Sequence, residues 1–173
     1  QFEPGMSTFI IETLDETWKA HGIDKMSQEE GIAFCKKLFA PWLDGNKLIS
    51  NAGHLRGAAI WIQFPRVICD TWVHYQPLSG GRKVPVVLMG DAAHTAHFSI
   101  GSGTKLALED AIELNRCLMA KNYNVEEGLQ HYQEVRNVEV LKIQNAARNS
   151  TEWFENVERY ADFEPEQFAY SLL

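Results

Sequence analysis

An α/β fold is predicted for this chain of 173 residues. Three observations carry the prediction. Val84-Pro85-Val86-Val87-Leu88-Met89 is a continuous apolar run, which suits a central parallel strand covered on both faces. Gly90-Asp91-Ala92-Ala93-His94 turns directly off that run, and a loop through His97-Phe98 to Gly101-Ser102-Gly103 follows. Leu106, Ala107, Asp110, Ala111, Leu114 and Leu118 then recur at helical spacing, with the apolar residues on one side.

Around this centre the elements read in order. Thr8-Phe9-Ile10-Ile11-Glu12 reads as a short strand. A helical stretch starts at Asp15, passes Trp18 and ends near Gly22. Ser27 with Glu30 has the capping-box spacing, and the helix that it opens carries Ile32, Phe34, Cys35, Leu38 and Phe39 before Pro41 stops it. Gly53 to Gly57 is a loop. Ala58 to Tyr75 is rich in aromatic and β-branched residues and reads as one or two strands broken near Pro65. Pro77 to Lys83 is a turn with Ser79-Gly80-Gly81 at its tip. Asn124 with Glu127 opens a long helix whose buried side draws on Leu129, Tyr132, Val135, Leu141 and Ile143. Asn149-Ser150 is a point where that helix can break, with Trp153, Phe154 and Val157 continuing the pattern. Pro165 starts a last short helix through Phe168 and Leu172.

Composition narrows the function classes. A 45% hydrophobic and 23% charged chain is ordinary for a globular domain with one core. A net charge of -7 argues against a nucleic-acid surface. No apolar stretch is long enough to span a bilayer, and no secretory signal is visible, so a cytoplasmic location is expected. The start at Gln1 rather than Met suggests a fragment or a trimmed chain. Cys35, Cys69 and Cys117 are far apart and odd in number, which favours free thiols in a reducing compartment. His94 and His97 lie three apart in a Gly-rich loop with no adjacent ligand set, so no metal site is expected.

The central motif has the chemistry of a cofactor turn. A carboxylate at Asp91, directly after a strand, can accept hydrogen bonds from the vicinal hydroxyls of a ribose or ribityl chain. Gly90 allows the sharp turn, and Ala92 and Ala93 leave room for a close ligand. Gly101 and Gly103 permit backbone conformations closed to other residues and let a flat ring approach the main chain. The N–H groups of Gly103, Thr104 and Lys105 are the unpaired donors of a helix start, which favours negative charge. A P-loop does not fit, because Thr104 precedes Lys105 and the required upstream glycine position is Phe98. A dinucleotide fingerprint does not fit either, because its third glycine position is Leu106.

Gly90-Asp91-Ala92-Ala93-His94, then Gly101-x-Gly103, then Leu108-Glu109-Asp110-Ala111 resembles the second flavin motif of the aromatic-ring hydroxylases. These are single-component FAD monooxygenases similar to para-hydroxybenzoate hydroxylase. Residues 97–107 and the stretch Ala147 to Val157 are further similar to the hydroxylase part of the salicylyl-CoA and 2-aminobenzoyl-CoA group. Indole oxygenases of violacein biosynthesis share a related His-Phe-Ser-Ile-Gly stretch. Most of the family carries proline where this chain has Phe98.

The resemblance implies the C-terminal portion of an FAD monooxygenase. Its FAD-binding region would be part of a three-layer Rossmann-like domain, joined to β-strands of a substrate domain and followed by C-terminal helices. On this reading 1–82 belongs to the substrate-binding region, 83–122 is the second half of the FAD-binding region, and 123–173 is the C-terminal helices. FAD is the cofactor, with NAD(P)H as co-substrate and dioxygen as oxidant. The substrate is aromatic, with a CoA thioester the first expectation. Gly90, Asp91, Gly101, Gly103, Thr104 and Lys105 hold the cofactor, and His94 braces the turn. His97 is the catalytic candidate, since it can hydrogen-bond a phenol or aniline or relay its proton; otherwise it is a loop residue that packs or caps. His97, Phe98 and Trp61 face the substrate.

Trp72 and Phe64 are either pocket walls or core, and Arg56 and Arg66 either meet a phosphate or carboxylate or are solvated. The expected partners are an N-terminal FAD-binding half carrying the absent Gly-x-Gly-x-x-Gly, and a downstream flavin reductase domain. The fragment alone is expected to bind FAD weakly or not at all. Two other readings stay open: a flavin-dependent reductase or dehydrogenase on the same scaffold, and a non-catalytic interaction domain.

Overall fold

The computed structural model describes residues 3–50, 61–120, 122 and 124–172. The expected loop at Gly53 to Gly57, Arg56 and the residues 58–60 lie outside them. The chain divides into two compact units, Gln1–Gln63 and Phe64–Leu173.

In the first unit, α1 (Asp15–Ala20) ends before Gly22, whose φ of 67° closes the helix in the left-handed region. The capping box of α2 (Gln28–Leu38) forms in both directions. Glu30 N–H donates to Ser27 Oγ at 3.2 Å, and Ser27 N–H donates to the Glu30 carboxylate at 2.8 Å. Pro41 ends α2 as expected but also sits in the first turn of a short helix, α3 (Ala40–Leu43), where its missing N–H costs nothing. The strand expected at Thr8–Glu12 does not form. Those residues are irregular and Ile10 is 65% exposed. Period-2 patterning makes no strand without a partner to complete the ladder.

In the second unit, β1 (Val73–Pro77) and β2 (Lys83–Val87) pair antiparallel, with Val73 opposite Val87 and Pro77 opposite Lys83. The apolar run is therefore a strand, and its partner among the described residues is the preceding strand of a hairpin. The Ser79-Gly80-Gly81 tip between them, with Gly80 at φ 81°, is the local signal that pairs neighbours this way. Val84 and Val86 remain 44% and 48% exposed. Upstream of β1, residues 61–72 form no strand; Ile68 makes only an isolated bridge with His94.

Three helices complete the unit: α4 (Gly103–Ala120), α5 (Val125–Glu155) and α6 (Pro165–Ser171). The helix α5 runs unbroken through Asn149-Ser150. Thr151 Oγ1 donates back to Ala147 O at 3.0 Å, Arg148 pairs with Glu152 at 2.7 Å, and buried Ala147 and Trp153 hold the segment by packing. Intrinsic propensity is a weak prior against such contacts.

The buried stripe of α5 is Leu129, Tyr132, Arg136, Val140, Gln144 and Ala147, at strict helical spacing. Leu141, expected inside, is 53% exposed, and a buried arginine and glutamine take positions where a hydrophobic count does not look. Trp72, Ala93, Leu106, Cys117, Tyr132 and Val140 form the core where α4, α5 and the Asp91 turn meet. All three thiols are free, and burial, with Glu113 beside it, pushes the Cys117 thiol up to about 11. Among the described residues, no helix is long and apolar enough to cross a membrane.

Candidate functional site

The turn after β2 is a single 3-10 turn, Gly90–Ala92, entered at Gly90 with φ 58°. A Cβ at Gly90 would sit 3.2 Å from the Ala107 Cβ, so the turn lies directly on the second turn of α4. Glycine is required twice over here, by backbone conformation and by contact. Ala93 N–H and His94 N–H both donate to Gly90 O, at 2.9 and 3.0 Å. Asp91 is exposed at the apex, while Ala93 and His94 are buried beneath it.

Beneath the turn is a polar cluster in which His94, expected to brace the turn, meets Asp110, which in turn pairs with Arg136. Asp110, fully buried on α4, accepts hydrogen bonds from Gly90 N–H at 2.8 Å and His94 Nε2 at 2.7 Å on one oxygen, and from Arg136 Nε at 2.8 Å on the other. Arg136, 5% exposed, also reaches Leu106 O at 3.5 Å and Glu109 at 3.4 Å. Burial pushes the Asp110 carboxyl up, but bonds from His94, Gly90 and Arg136 outweigh it and hold the group below the usual carboxylate range. The His94 ring rests against Trp72, with centroids 5.0 Å apart.

A depressed folded-state pKa fixes the sign of the pH dependence. The stability that Asp110 contributes is present above its unfolded pKa of about 3.9 and is lost as pH falls through the lower folded value. Unfolding free energies measured from pH 6 to pH 3 should therefore fall more steeply for the wild-type protein than for Asp110→Asn. Parallel slopes would show that this carboxylate does not titrate as described.

The segment before β1 is zipped to the residues after the turn. Thr95 N–H donates to Val67 O at 3.1 Å and Cys69 N–H to Ala93 O at 3.2 Å. Val67 N–H donates to Thr95 Oγ1 at 2.7 Å. From α5, Gln144 Nε2 donates to Thr95 O at 2.8 Å and Val67 O at 3.2 Å, so one amide clasps both sides of the zipper. This seats Phe64 over the loop: its ring lies 5.3 Å from that of Phe98 and 6.5 Å from that of His97, edge-on to both. His97 and Phe98 stack at 4.4 Å. His97 Nδ1 accepts Ser99 N–H at 3.3 Å, which starts the 3-10 turn Phe98–Ile100.

A cleft of about 930 Å³ opens between this loop, the N-terminus of α4 and the last turns of α5. Asp91, His97, Phe98, Gly101, Gly103 and Thr104 all line it, together with Phe64, Arg66 and Arg148. Gly101 has φ 61°, in the left-handed region. Gly103 is the first residue of α4 and has no such conformation; open space surrounds its missing side chain. The first hydrogen bond into α4 runs from Leu106 N–H to Ser102 O, which leaves the N–H groups of Gly103 to Lys105 without intrahelical partners.

Two expected residues stand behind this wall. Gly90 is buried under the turn, and the exposed Lys105 ammonium pairs with Glu109 along the helix. Trp61 belongs to the first unit, where it lines a cleft of about 400 Å³ with residues such as Phe9, Ile32 and Cys35. Trp72, a candidate wall, is core instead. The clearest omission is Arg136. Its only sequence signal is its place on the stripe that continues Leu129 and Tyr132, one charged residue at an inward position.

No protein-family model matches the chain. It is 38% identical to salicyloyl-CoA 5-hydroxylase from a Streptomyces species, over 97% of this chain and 32% of that protein. It is 35% identical to the 3-hydroxy-4-methyl-anthranilyl-[aryl-carrier protein] 5-monooxygenase of Streptosporangium sibiricum, over 88% of this chain and 35% of that protein. An FAD-dependent monooxygenase of Penicillium crustosum is 36% identical over 47% of this chain and 17% of its own length. The chain thus spans about a third or less of the length of these curated relatives. The resemblance read from residues 90–111 agrees with these names: two of the relatives are a hydroxylase and a monooxygenase named for aromatic acyl groups, and the third is named an FAD-dependent monooxygenase.

Proposed function

We propose that this chain forms the ribityl and pyrimidine half of the FAD site of an aromatic-ring hydroxylase, together with part of its substrate wall. One observation carries the reading. A single cleft brings the Asp91 carboxylate, the free N–H groups at the start of α4 and the aromatic set Phe64, His97 and Phe98 to one place. The residues fit such a cofactor. Asp91 offers an exposed acceptor for ribityl hydroxyls, α4 offers backbone donors for an electron-rich ring edge, and the bare Gly103 leaves that edge open. Flavin, reduced by NAD(P)H and reacted with dioxygen, would supply the oxygen-transfer chemistry.

The chain's own residues would hold and orient the reactants. Phe64, His97 and Phe98 offer an aromatic, partly water-excluding wall for a planar substrate. The His97 imidazole can donate to or accept from a hydroxyl or amino substituent on the ring. The substrate we favour is an aromatic acyl thioester, because two relatives are named for CoA-linked or carrier-linked aromatic acids. In the whole protein, β2 would join further strands in a three-layer α/β domain, for which the exposed Val84 and Val86 leave a face open.

Asp91→Ala tests the cofactor assignment. Loss of a hydrogen bond to a charged acceptor costs about 1.5–3 kcal/mol, so the FAD dissociation constant should rise by about tenfold or more. Fluorescence titration of the full-length apoprotein, with its N-terminal FAD-binding half, reads this directly. An unchanged constant would remove Asp91 from the site.

A further inference from the structure

We infer that Asp110 and Arg136 are positioning residues for the flavin turn, so that cofactor affinity is set from α5, behind the cleft wall. The inference rests on the flavin reading above. Among the described residues, the Asp91 side chain has no hydrogen bond of its own, so its direction is fixed only by the backbone that carries it. That backbone is tied down one residue earlier. Gly90 N–H donates to Asp110, and Gly90 abuts Ala107, so the turn has one seat, set by the Asp110 carboxylate from below.

Asp110 in turn has one orientation. Its second oxygen is taken by Arg136 Nε at 2.8 Å, and Arg136 Nη2 reaches the backbone of α4 at Leu106 O. Both side chains are buried, at 0% and 5% exposure. A buried ion pair is seldom more stabilising than well-packed apolar residues of the same volume. What this pair supplies that leucine and methionine would not is an acceptor of fixed position and charge under Gly90.

The test is FAD affinity in the intact protein, measured below the melting transition of each variant. Asp110→Asn keeps the shape but puts an amide N–H either against Arg136 Nε or against the Gly90 and His94 donors. Arg136→Lys keeps the charge but loses the fork that joins Asp110 to Leu106. Each should raise the FAD dissociation constant about tenfold. Leu129→Ala, which removes core volume from the same helix, should lower the melting temperature while leaving FAD affinity within about twofold.

A double-mutant cycle supplies the readout that a merely structural role would not move. If Asp110 acts through Asp91, then Asp91→Ala with Arg136→Lys binds FAD no more weakly than Asp91→Ala alone. Unchanged affinity in both single variants, or fully additive losses in the cycle, overturns the inference and leaves the flavin reading standing. Absence of FAD binding by the full-length wild-type protein overturns both. Should Asp110→Asn not fold, Arg136→Lys carries the same test.

Discussion

Arg136→Ala is expected to lower the stability of the protein by about 3–5 kcal/mol. The loss is larger than a surface ion pair could give, because the partner left behind is a fully buried carboxylate. His94 and the Gly90 N–H still donate to Asp110, but both meet one oxygen, and the other would face the space vacated by the guanidinium. Removing one partner of a buried pair exposes the full desolvation cost of the survivor. Chemical denaturation monitored by tryptophan fluorescence measures the change as a shift of midpoint. A loss under about 1 kcal/mol would mean that the Asp110 charge is met by something other than Arg136.

The second large effect belongs to Trp72→Ala, at about 3–5 kcal/mol. Trp72 is 2% exposed, lies 5.0 Å from the His94 ring and 5.9 Å from the Tyr132 ring, and donates Nε1–H to Cys69 O at 3.0 Å. Truncation opens a cavity at the point where β1, the turn and α5 meet, and leaves the half-buried Cys69 carbonyl without its donor. If Trp72 were instead a substrate wall, its loss would alter turnover with little change in stability. Thermal unfolding of the variant separates the two. A melting temperature close to wild type would return Trp72 to the pocket.

The sequence carried the helices well because their signals are local. The capping pairs Ser27/Glu30 and Asn124/Glu127, the stop at Gly22 and the start at Pro165 each depend on residues within one turn. The turn after β2 was legible for the same reason, since Gly90, Asp91 and Gly101 lie within one short stretch. What was not legible depended on distant partners. The Thr8–Glu12 segment has strand patterning but no ladder among the described residues. Pairing of β2 was decided by a neighbouring hairpin tip rather than by its own composition. Asp110 was read as part of the helical spacing and of the family motif but was given no role, because the residues that explain it are 16, 20 and 26 positions away.

The inward stripe of α5 also acts as a ruler. Tyr132 Oη donates to Leu88 O at 3.1 Å, Gln133 accepts Trp72 N–H at 2.6 Å, Arg136 meets Asp110, and Gln144 clasps Thr95 and Val67. Four separate stretches of chain are thus indexed against one helix. Inserting or deleting a single residue between 136 and 144 would turn one end by about 100° against the other, so that Arg136 and Gln144 could not both face inward. Changes of about seven or eleven residues come close to restoring the phase, but each added residue also moves Gln144 by about 1.5 Å along the axis, away from Thr95 and Val67. Length between Arg136 and Gln144 is therefore fixed by both angle and rise, whereas the hairpin tip at Ser79–Gly81 is exposed and carries no such register.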